Sequence, residues 1–229
     1  MKKKKVVVLT GAGISAESGI KTFRDADGLW EGHDVMEIAS PIGWEKDQNR
    51  VLEFYNQRRR QLLTVAPNAA HFALVKLAEK FDVEIITQNI DDLHERAGSD
   101  KVTHLHGELL KARSTFNENL VMDWKQDINL GDFCEFNHQL RPHVVWFGEA
   151  VPMFEKAMEI VAEAEILIII GTSMQVYPAA GLLDFSPRGI PIYFIDPKPN
   201  ILEKGNLSII TKTASKGVPK LVDELINSA

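Results

Sequence analysis

Two amides and a carboxylate follow an apolar segment near the middle of the chain. Gln88, Asn89 and Asp91 come directly after the run VEIIT. Side-chain amides at the end of a strand can hydrogen-bond a carboxamide or a ribose without adding charge. An Asn/Asp turn in which Asp91 or Asp92 caps a helix explains the same residue types. By itself the pattern favours this second interpretation.

Two histidines, His104 and His106, lie in the segment HLHGEL at the end of another apolar run. Histidine can act as a general base at neutral pH because its unperturbed pKa is about 6.5. Taken singly, each histidine is more typical of a structural role. A further run ends in Gly171, Thr172 and Ser173, which are small or hydroxyl-bearing and suit a phosphate or a ribose.

Glycines at the end of the first apolar run form a candidate phosphate loop. Residues 11–16, GAGISA, match the pattern G-x-G-x-x-G/A, whose glycines let backbone N–H groups approach a pyrophosphate. A lone match is weak, because a strand-to-helix turn can need glycines for its backbone angles alone. A hydride-transfer dehydrogenase would add an acidic residue at the end of a second strand roughly 20 residues later. The segment TFRDADGLWEGHD has a loop composition instead, which disfavours an ordinary dehydrogenase.

Short apolar runs alternate with helical patterns along the chain. The runs are continuous and mostly β-branched, as is typical of strands buried on both faces of a parallel sheet. Helical spacing marks residues 68–81, residues 153–164 and the C-terminal segment GVPKLVDELINSA. The predicted fold class is α/β, a Rossmann-like doubly wound parallel sheet with a small second domain made from two insertions. The predicted strands are KVVVL, VEIIT, VTHLH, HVVWF, EILIIIG, IPIYFID and LSIIT.

Two segments break this alternation. Residues 34–66 have a helical pattern with no strand, and residues 111–141 are polar, irregular and rich in Asn and Asp. We therefore assign residues 1–33, 67–110 and 142–229 to the Rossmann-like domain. The helical insertion and the small module together form the predicted second domain.

Charge and composition limit the classes of partner. A formal net charge of -6 argues against a nucleic-acid-binding protein. The apolar runs are far too short for a membrane span, and the one after MKKKK is too short for a signal-peptide core. We expect a cytoplasmic monomer that binds neither nucleic acid nor a membrane. The single cysteine, Cys134, excludes an internal disulfide and a multi-cysteine zinc site.

The polar segments follow one another in the order GAGISAESGI, TQNID, HLHGEL and GTS. Together with TFRDADGLW, RPHVVWFGE and VYPAA, they resemble the sirtuins, the NAD-dependent protein lysine deacylases, and in particular the bacterial CobB-type members. The resemblance covers nearly the whole chain. It implies that NAD is consumed as a co-substrate and that the partners are acyl-lysine proteins.

The resemblance also implies an NAD site on these segments, with Asp91 fixing the carboxamide. The implied residues are Gly11, Ala12 and Gly13 at the pyrophosphate; Phe23, Arg24 and Trp30 over the ribose and nicotinamide; Gln88, Asn89, Ile90 and Asp91 around the nicotinamide; and Gly171, Thr172, Ser173, Asp196, Pro197, Lys198 and Ala214 at the adenosine half.

The implied reaction is not a redox reaction. The substrate's acyl oxygen attacks the nicotinamide ribose, and nicotinamide leaves. His106 is the implied general base that activates the ribose 2′-hydroxyl, while Asn89 and Gln88 orient the ribose. Lysine is freed and the acyl group ends on ADP-ribose. The peptide would lie as an extended strand, with Val145 and Phe147 as walls of the acyl-lysine tunnel.

One predicted helix, DQNRVLEFYNQRRRQLL, has arginines on or beside its apolar face, namely Arg58 and Arg59. An inward guanidinium needs a partner, and a carboxylate such as Glu53 could supply it. Periodicity alone does not choose between the two arginines. In the sirtuins, Tyr-x-x-Arg marks members that accept anionic acyl groups. Tyr55 and Arg58 match it and imply desuccinylation and demalonylation beside deacetylation.

The chain departs from the sirtuin pattern in the small module, where most members carry a zinc ribbon of four cysteines. Ser114 and Asn117 stand where the first pair belongs, and only Cys134 lies near the second. Cys134 with His138 or His143 could form only a weaker site. We predict no zinc and a module held by its own packing. The predicted packing residues are Phe116, Leu120, Met122, Trp124, Phe133 and Phe136.

Two other functions are left open by the residues. An ADP-ribosyltransferase or NAD glycohydrolase would use the same ribosyl chemistry with another nucleophile and without acyl-lysine. A non-catalytic NAD-sensing module is disfavoured, because binding alone does not require His106 together with the amides Gln88 and Asn89.

Overall fold

The computed structural model describes residues 2–21, 29–30, 32–199, 201–203 and 205–228. Its strands are β1 (Lys5–Thr10), β2 (Leu29–Trp30), β3 (His33–Asp34), β4 (Asp82–Thr87), β5 (Val102–His104), β6 (Gly107–Ser114), β7 (Val121–Asp123), β8 (Leu140–Val144), β9 (Ile166–Ile170), β10 (Ile192–Ile195) and β11 (Leu207–Ile210). Its α-helices are α1 (Val35–Ile38), α2 (Pro41–Lys46), α3 (Gln48–Leu62), α4 (Ala69–Leu77), α5 (Leu93–Ala97), α6 (Phe154–Ala162) and α7 (Ala214–Asn227).

The main sheet has six parallel strands in the order β11-β10-β9-β1-β4-β5. The chain leaves β1 toward β4 on one side and later reaches β9 on the other. The strand order therefore reverses between β1 and β9, which is where open α/β sheets bind their ligands. The doubly wound parallel sheet predicted from the sequence is confirmed.

The strands of this sheet are buried on both faces. In β1, Val6 and Val8 join one apolar cluster, whereas Val7 and Leu9 join another. Helices α4 and α7 cover the first face, and α6 with the 3-10 helix Ala179–Phe185 covers the second. Two-sided burial explains why these runs are continuously apolar.

A second, antiparallel sheet of order β7-β6-β8 packs against α1, α2 and α3. The module 111–141 thus contains strands that its polar sequence did not indicate. The prediction that HVVWF belongs to the parallel sheet is wrong, because its first two residues end β8 of the antiparallel sheet. Val144 and Trp146 are buried in the apolar cluster between this sheet and helices α1, α2 and α3, here called the small cluster. The division into two domains stays a prediction, supported by the separate apolar cluster that the helices and this sheet share.

The predicted packing of the small module is partly wrong. Phe116, Phe133 and Phe136 are exposed by 64%, 55% and 55%, and Phe116 stacks on the exposed His138 ring at 4.4 Å. These phenylalanines lie outside the module's strands, whereas the buried positions belong to smaller side chains such as Cys134. Leu120, Met122 and Trp124 do pack against the small cluster. No helix in the described part of the chain is long and apolar enough to cross a bilayer.

Candidate active site

The polar segments predicted from the sequence meet at the carboxyl edge of the parallel sheet. The last residues of β1, β4 and β5 are in register, since Thr10 pairs with Thr87 and Thr87 with His104. The Thr10 hydroxyl donates to Thr87 Oγ1 over 2.8 Å, and both threonines are buried. The residues that follow these strands are therefore anchored at a buried, hydrogen-bonded pair of strand ends.

The glycines after β1 leave room for the loop that follows β9, whose backbone lies too close for a side chain at these positions. A Cβ on Gly13 would lie 2.5 Å from Gly171 Cα, and a Cβ on Gly11 would lie 2.8 Å from the Gly171 carbonyl oxygen. The Gly13 N–H donates to that oxygen over 2.8 Å. Gly171 itself has a φ of 61°, in the left-handed region. The two loops meet at the point of strand reversal, so backbone from both lines the crevice.

Asp91 is buried at the centre of this edge. Its Oδ2 accepts the Ser15 hydroxyl over 2.9 Å, and its Oδ1 accepts the Leu93 N–H over 3.2 Å. Ser15 Oγ also accepts from the Asn89 amide over 3.2 Å. Burial raises the pKa of Asp91 to about 6, although the Ser15 hydrogen bond opposes the shift. These two hydrogen bonds fix the orientation of the carboxylate, and the bond from the Leu93 N–H also gives it a local role at the start of α5.

Replacing Asp91 with asparagine should stabilise the fold at neutral pH. The folded pKa of about 6 exceeds the ordinary 3.8, so the native state binds this proton more tightly than the unfolded chain does. Stability is lost as pH rises through this window, and a neutral amide removes that loss. The melting temperature of Asp91→Asn minus that of wild type should therefore grow between about pH 4 and about pH 6 and level off by about pH 7. The same substitution at the exposed Asp223 is the control; a difference that is constant or shrinks contradicts the burial effect.

The two histidines hydrogen-bond two successive backbone carbonyl groups of the segment after β4. His106 Nδ1 lies 3.0 Å from the Gln88 oxygen, and His104 Nδ1 lies 3.0 Å from the Asn89 oxygen. A carbonyl only accepts, so each Nδ1 carries its proton. In neutral His106 the lone pair therefore lies on Nε2, for which no described residue is a hydrogen-bond partner.

The same two histidines differ in their electrostatics. Burial lowers the pKa of His106, against the effect of its bond to the Gln88 carbonyl. Burial also opposes the charge on His104, but the hydrogen bond and the charge of Glu95, 2.8 Å from Nε2, outweigh it and raise its pKa. His106 is therefore suited to act as a neutral base, and His104 to hold the Asn89 backbone.

The remaining predicted nicotinamide residues are tied to neighbouring segments. The Gln88 amide donates to Thr172 Oγ1 over 3.1 Å, which links the loops after β4 and β9. Asn89 is 7% exposed. The Ile90 oxygen accepts the Leu109 N–H over 2.8 Å.

The predicted adenosine residues follow β9 and β10 or begin α7, at the same edge of the sheet. Thr172, Asp196 and Ala214 are buried, and the Lys198 N–H donates to Asp196 Oδ1 over 2.8 Å. Ser173 is half-buried, and Pro197 is exposed. Phe23 and Arg24 lie outside the described residues. Trp30 is half-buried and makes edge contacts with Phe54 and Tyr55 at 5.0 and 6.1 Å between ring centroids.

The predicted tunnel residues lie on the segment after β8, and one of them, Val145, contacts His106. The Val145 N–H donates to the His106 oxygen over 2.9 Å, and the Phe147 N–H donates to the Ala39 oxygen over 2.9 Å. Val145 is half-buried and Phe147 is 41% exposed. The segment after β8 thus runs beside the carboxyl edge of the main sheet.

The arginines of α3 have distinct surroundings. Arg59 is fully buried and donates to the Leu109 oxygen at 3.1 Å and to Asn56 Oδ1 at 2.7 Å. Arg58 is half-buried; it donates to the Phe54 oxygen at 2.8 Å, and its guanidinium carbon lies 3.6 Å from the Phe54 ring centroid. Glu53, the suggested carboxylate partner, pairs with Arg60 instead, at 2.8 Å.

Tyr55 is fully buried, and its hydroxyl oxygen accepts from Trp146 Nε1 over 3.1 Å. Burial keeps its pKa above the ordinary value, so the phenol stays protonated at neutral pH. Tyr55 and Arg58 are three positions apart on α3 and therefore share one face of the helix.

Comparison with known proteins identifies the family. Residues 11–178 match the family model described as the Sir2 family. The chain belongs to this family. An NAD-dependent protein deacylase of Helicobacter pylori is 57% identical over 227 residues, which cover 99% of both chains. One from Bacteroides thetaiotaomicron is 50% identical over 230 residues, covering 97% of this chain and 98% of its own. This sirtuin is an NAD-dependent protein deacylase.

Solved structures of the family superpose closely on this sirtuin. A Sir2 homologue in complex with NAD has a TM-score of 0.87 and 38% sequence identity, covering 99% of this chain and 91% of its own. A mutant Sir2 homologue in complex with ADP-ribose has a TM-score of 0.89 and 37% identity, with coverages of 99% and 93%. The sirtuin family predicted from the motifs is confirmed.

Three residues that shape the site of this sirtuin were not predicted. Ser15 lies inside the glycine segment, but that pattern considers only glycines and small residues, so the link to Asp91 was missed. Glu95 lies on α5, before the strand that ends with its partner His104, and no recognisable spacing connects the two residues. Trp146 lies within the motif RPHVVWFGE between the two predicted tunnel walls, and its position next to Tyr55 depends on the packing of β8 against α3.

Proposed function

We propose that this deacylase removes succinyl and malonyl groups, as well as acetyl groups, from lysine side chains of proteins. Its products are nicotinamide, O-acyl-ADP-ribose and free lysine. The observation that carries the acyl preference is the pair of a buried neutral phenol, Tyr55, and a guanidinium, Arg58, on one face of α3. Both can hydrogen-bond one carboxylate, and the guanidinium also neutralises its charge.

The residues at the sheet edge fit NAD. The glycine loops bring backbone from two strand ends together, and the buried Asp91 is aligned by Ser15 to bind the carboxamide. Thr172 and Asp196 would hold the adenosine half. When bound, NAD supplies the ribose carbon that accepts the acyl oxygen as nicotinamide departs.

The proton chemistry falls to His106. Its Nδ1–H is held by the Gln88 carbonyl, and its depressed pKa keeps Nε2 unprotonated at neutral pH. A base in this state can remove the proton of a ribose hydroxyl that then attacks the acyl carbon. Asn89 and Gln88 would orient the ribose, and each is anchored by a neighbouring loop, through Ser15 and Thr172 respectively.

The substrate would enter beside the segment after β8. The hydrogen bond from the Val145 N–H to the His106 oxygen supports this entry route, because it brings Val145 next to the proposed base. An acyl-lysine peptide lying as an added strand between residues 144–149 and 176–180 would direct its side chain toward the crevice.

Steady-state kinetics on matched peptides test the proposal. One peptide sequence carries succinyl-lysine, acetyl-lysine or unmodified lysine, and each is incubated with and without NAD. We expect NAD-dependent turnover of both acylated peptides, with kcat/KM higher for succinyl. Turnover of acetyl alone contradicts the anionic preference. Consumption of NAD that is independent of acyl-lysine indicates a glycohydrolase or a transferase instead.

We also propose that the enzyme works without zinc. The positions expected to hold metal ligands are used for hydrogen bonds, because Ser114 Oγ lies 3.3 Å from Cys134 Sγ and accepts the N–H groups of Phe116 and Asn117 at 3.0 and 3.3 Å. Within the described residues, no group of three or more His, Cys, Asp and Glu side chains could hold a metal. This donor set does not fit a tetrahedral zinc ion.

A chelator should therefore leave the deacylase unaffected. Prolonged incubation with a strong zinc chelator, followed by its removal, is expected to change neither kcat/KM nor the melting temperature, because the module is packed and hydrogen-bonded without metal. Elemental analysis of the purified protein supplies the control. Stoichiometric zinc together with loss of activity after chelation contradicts the proposal.

A further inference from the structure

A cluster of charged side chains connects the small sheet to Trp146. Arg113 on β6 and Arg141 on β8 are register partners. Arg113 Nη2 and Arg141 Nη1 lie 3.1 and 2.6 Å from Glu149 Oε1, and these side chains are only 10%, 10% and 19% exposed. The other oxygen, Oε2, accepts the Trp146 backbone N–H over 2.7 Å. Burial favours protonation of Glu149, but the bond and charge of Arg141 outweigh it and lower its pKa, so the carboxylate stays ionised.

The same cluster fixes the indole ring. The guanidinium carbon of Arg141 lies 3.2 Å from the Trp146 ring centroid, and its Nη2 donates to the Val144 oxygen over 3.0 Å. Trp44 packs nearby, with 5.6 Å between the ring centroids. Backbone and ring of Trp146, which is 2% exposed, are therefore both held in place.

The chemistry of the indole determines the state of the Tyr55 hydroxyl. An indole N–H only donates, so the Tyr55 oxygen must be the acceptor of the 3.1 Å hydrogen bond from Trp146 Nε1. The hydroxyl proton then points away from Trp146. No described residue accepts this proton, although the side chain is fully buried. A buried donor without an acceptor is costly, and a substrate oxygen that accepts the proton removes that cost.

Charged side chains act on the phenol from two elements. Arg141 and Glu149 belong to the cluster around Trp146, and Arg58 lies on α3. Burial is the main cause of the raised pKa of Tyr55, and the charge of Glu149 acts in the same direction. The Trp146 hydrogen bond and the charges of Arg141 and Arg58 act in the opposite direction, so both guanidiniums favour negative charge at the hydroxyl.

We propose that Trp146, held by Arg141 and Glu149, determines acyl specificity by fixing the Tyr55 hydroxyl so that its proton is donated to an anionic acyl group. Trp146 is a positioning residue, since it acts through Tyr55. The inference rests on the proposed anionic-acyl function and adds to it the group that orients the phenolic donor.

Substitution Trp146→Phe tests the inference, because it keeps an aromatic ring and removes the N–H. The measured quantity is the ratio of kcat/KM for succinyl-lysine to kcat/KM for acetyl-lysine in one peptide sequence. We expect this ratio to fall by about fivefold, the effect of losing one neutral hydrogen bond. In a Tyr55→Phe background, Trp146→Phe should change the ratio no further, since its effect passes through the hydroxyl.

The matched control is Trp44→Phe, the same change in the neighbouring ring, and it should leave the ratio unchanged. Equal ratios for wild type and Trp146→Phe overturn the inference, as does a Trp146→Phe effect that persists in the Tyr55→Phe background. A Tyr55→Phe variant with an unchanged ratio also overturns it, even if Trp146→Phe does not fold. Substitution Arg58→Met distinguishes failure of the proposed anionic-acyl function from failure of the role of Trp146. If Arg58→Met lowers the ratio while Trp146→Phe does not, only the role of Trp146 fails.

Discussion

Replacing His106 with alanine should lower kcat/KM for every acyl-lysine peptide by about 10²–10⁴-fold, the usual contribution of a general base. The loss should be equal for succinyl and acetyl peptides, because the base acts on a ribose hydroxyl and not on the acyl tail. NAD binding, measured by calorimetry, should persist, since the Asp91 and Ser15 contacts do not involve the imidazole.

The pH dependence supplies an independent test of the same role. The neutral form of His106 is the active one, so kcat/KM should fall as pH drops through its pKa, which burial holds below the ordinary value of 6.5. Residual activity of His106→Ala should lack this acidic limb. His138→Ala, at an exposed histidine stacked on Phe116, is the control and should behave as wild type. Normal deacylation by His106→Ala would refute the mechanism.

Replacing Arg58 with methionine should lower kcat/KM for succinyl-lysine by about 10- to 100-fold, which corresponds to a charge-assisted hydrogen bond of about 1.5–3 kcal/mol. The acetyl peptide has no carboxylate for the guanidinium to bind, so its kcat/KM should change far less. Methionine preserves much of the side-chain length and its packing over the Phe54 ring. The measurement is the ratio of the two kcat/KM values.

The run of three arginines on α3 offers matched controls. Arg60 is half exposed and pairs with Glu53 and Asp127 on the surface, so Arg60→Met should leave the ratio at its wild-type value. Arg59 is fully buried and bonded to the Leu109 carbonyl, so Arg59→Met should lower the melting temperature. An equal loss of both activities in Arg58→Met contradicts the anionic pocket.

The parallel sheet could be predicted because its strands have a simple signature. Val6 to Leu9 and Ile166 to Ile170 are buried on both faces, and this environment selects continuous β-branched runs. The small sheet has no such signature. In β6 and β8, the buried positions include Arg113 and Arg141, whose burial depends on Glu149, 36 residues after Arg113 and 8 residues after Arg141. Local periodicity does not reveal a polar residue paired over such a separation.

In the candidate site, too, some features could be predicted from the sequence and others depend on tertiary packing. The order of the motifs indicated the sirtuin family and the strand ends that carry the crevice. The residue pattern alone did not distinguish His104 from His106, and only the family motif selected His106. His104 ends β5, His106 lies two positions later, and the Nδ1 of each hydrogen-bonds a carbonyl oxygen. The difference comes from Glu95, which contacts only His104. Likewise, Arg59 and Arg58 are adjacent in sequence, and only the packing of α3 against the small sheet shows which one is buried.

In the proposed reaction, the acyl group passes from lysine to ADP-ribose. Mass spectrometry of one reaction containing NAD and a succinyl-lysine peptide tests it directly. We expect free-lysine peptide, nicotinamide and O-succinyl-ADP-ribose to form in equal amounts, with no loss of succinyl when NAD is omitted. Release of nicotinamide while the peptide keeps its succinyl group, or loss of succinyl without NAD, contradicts the claim.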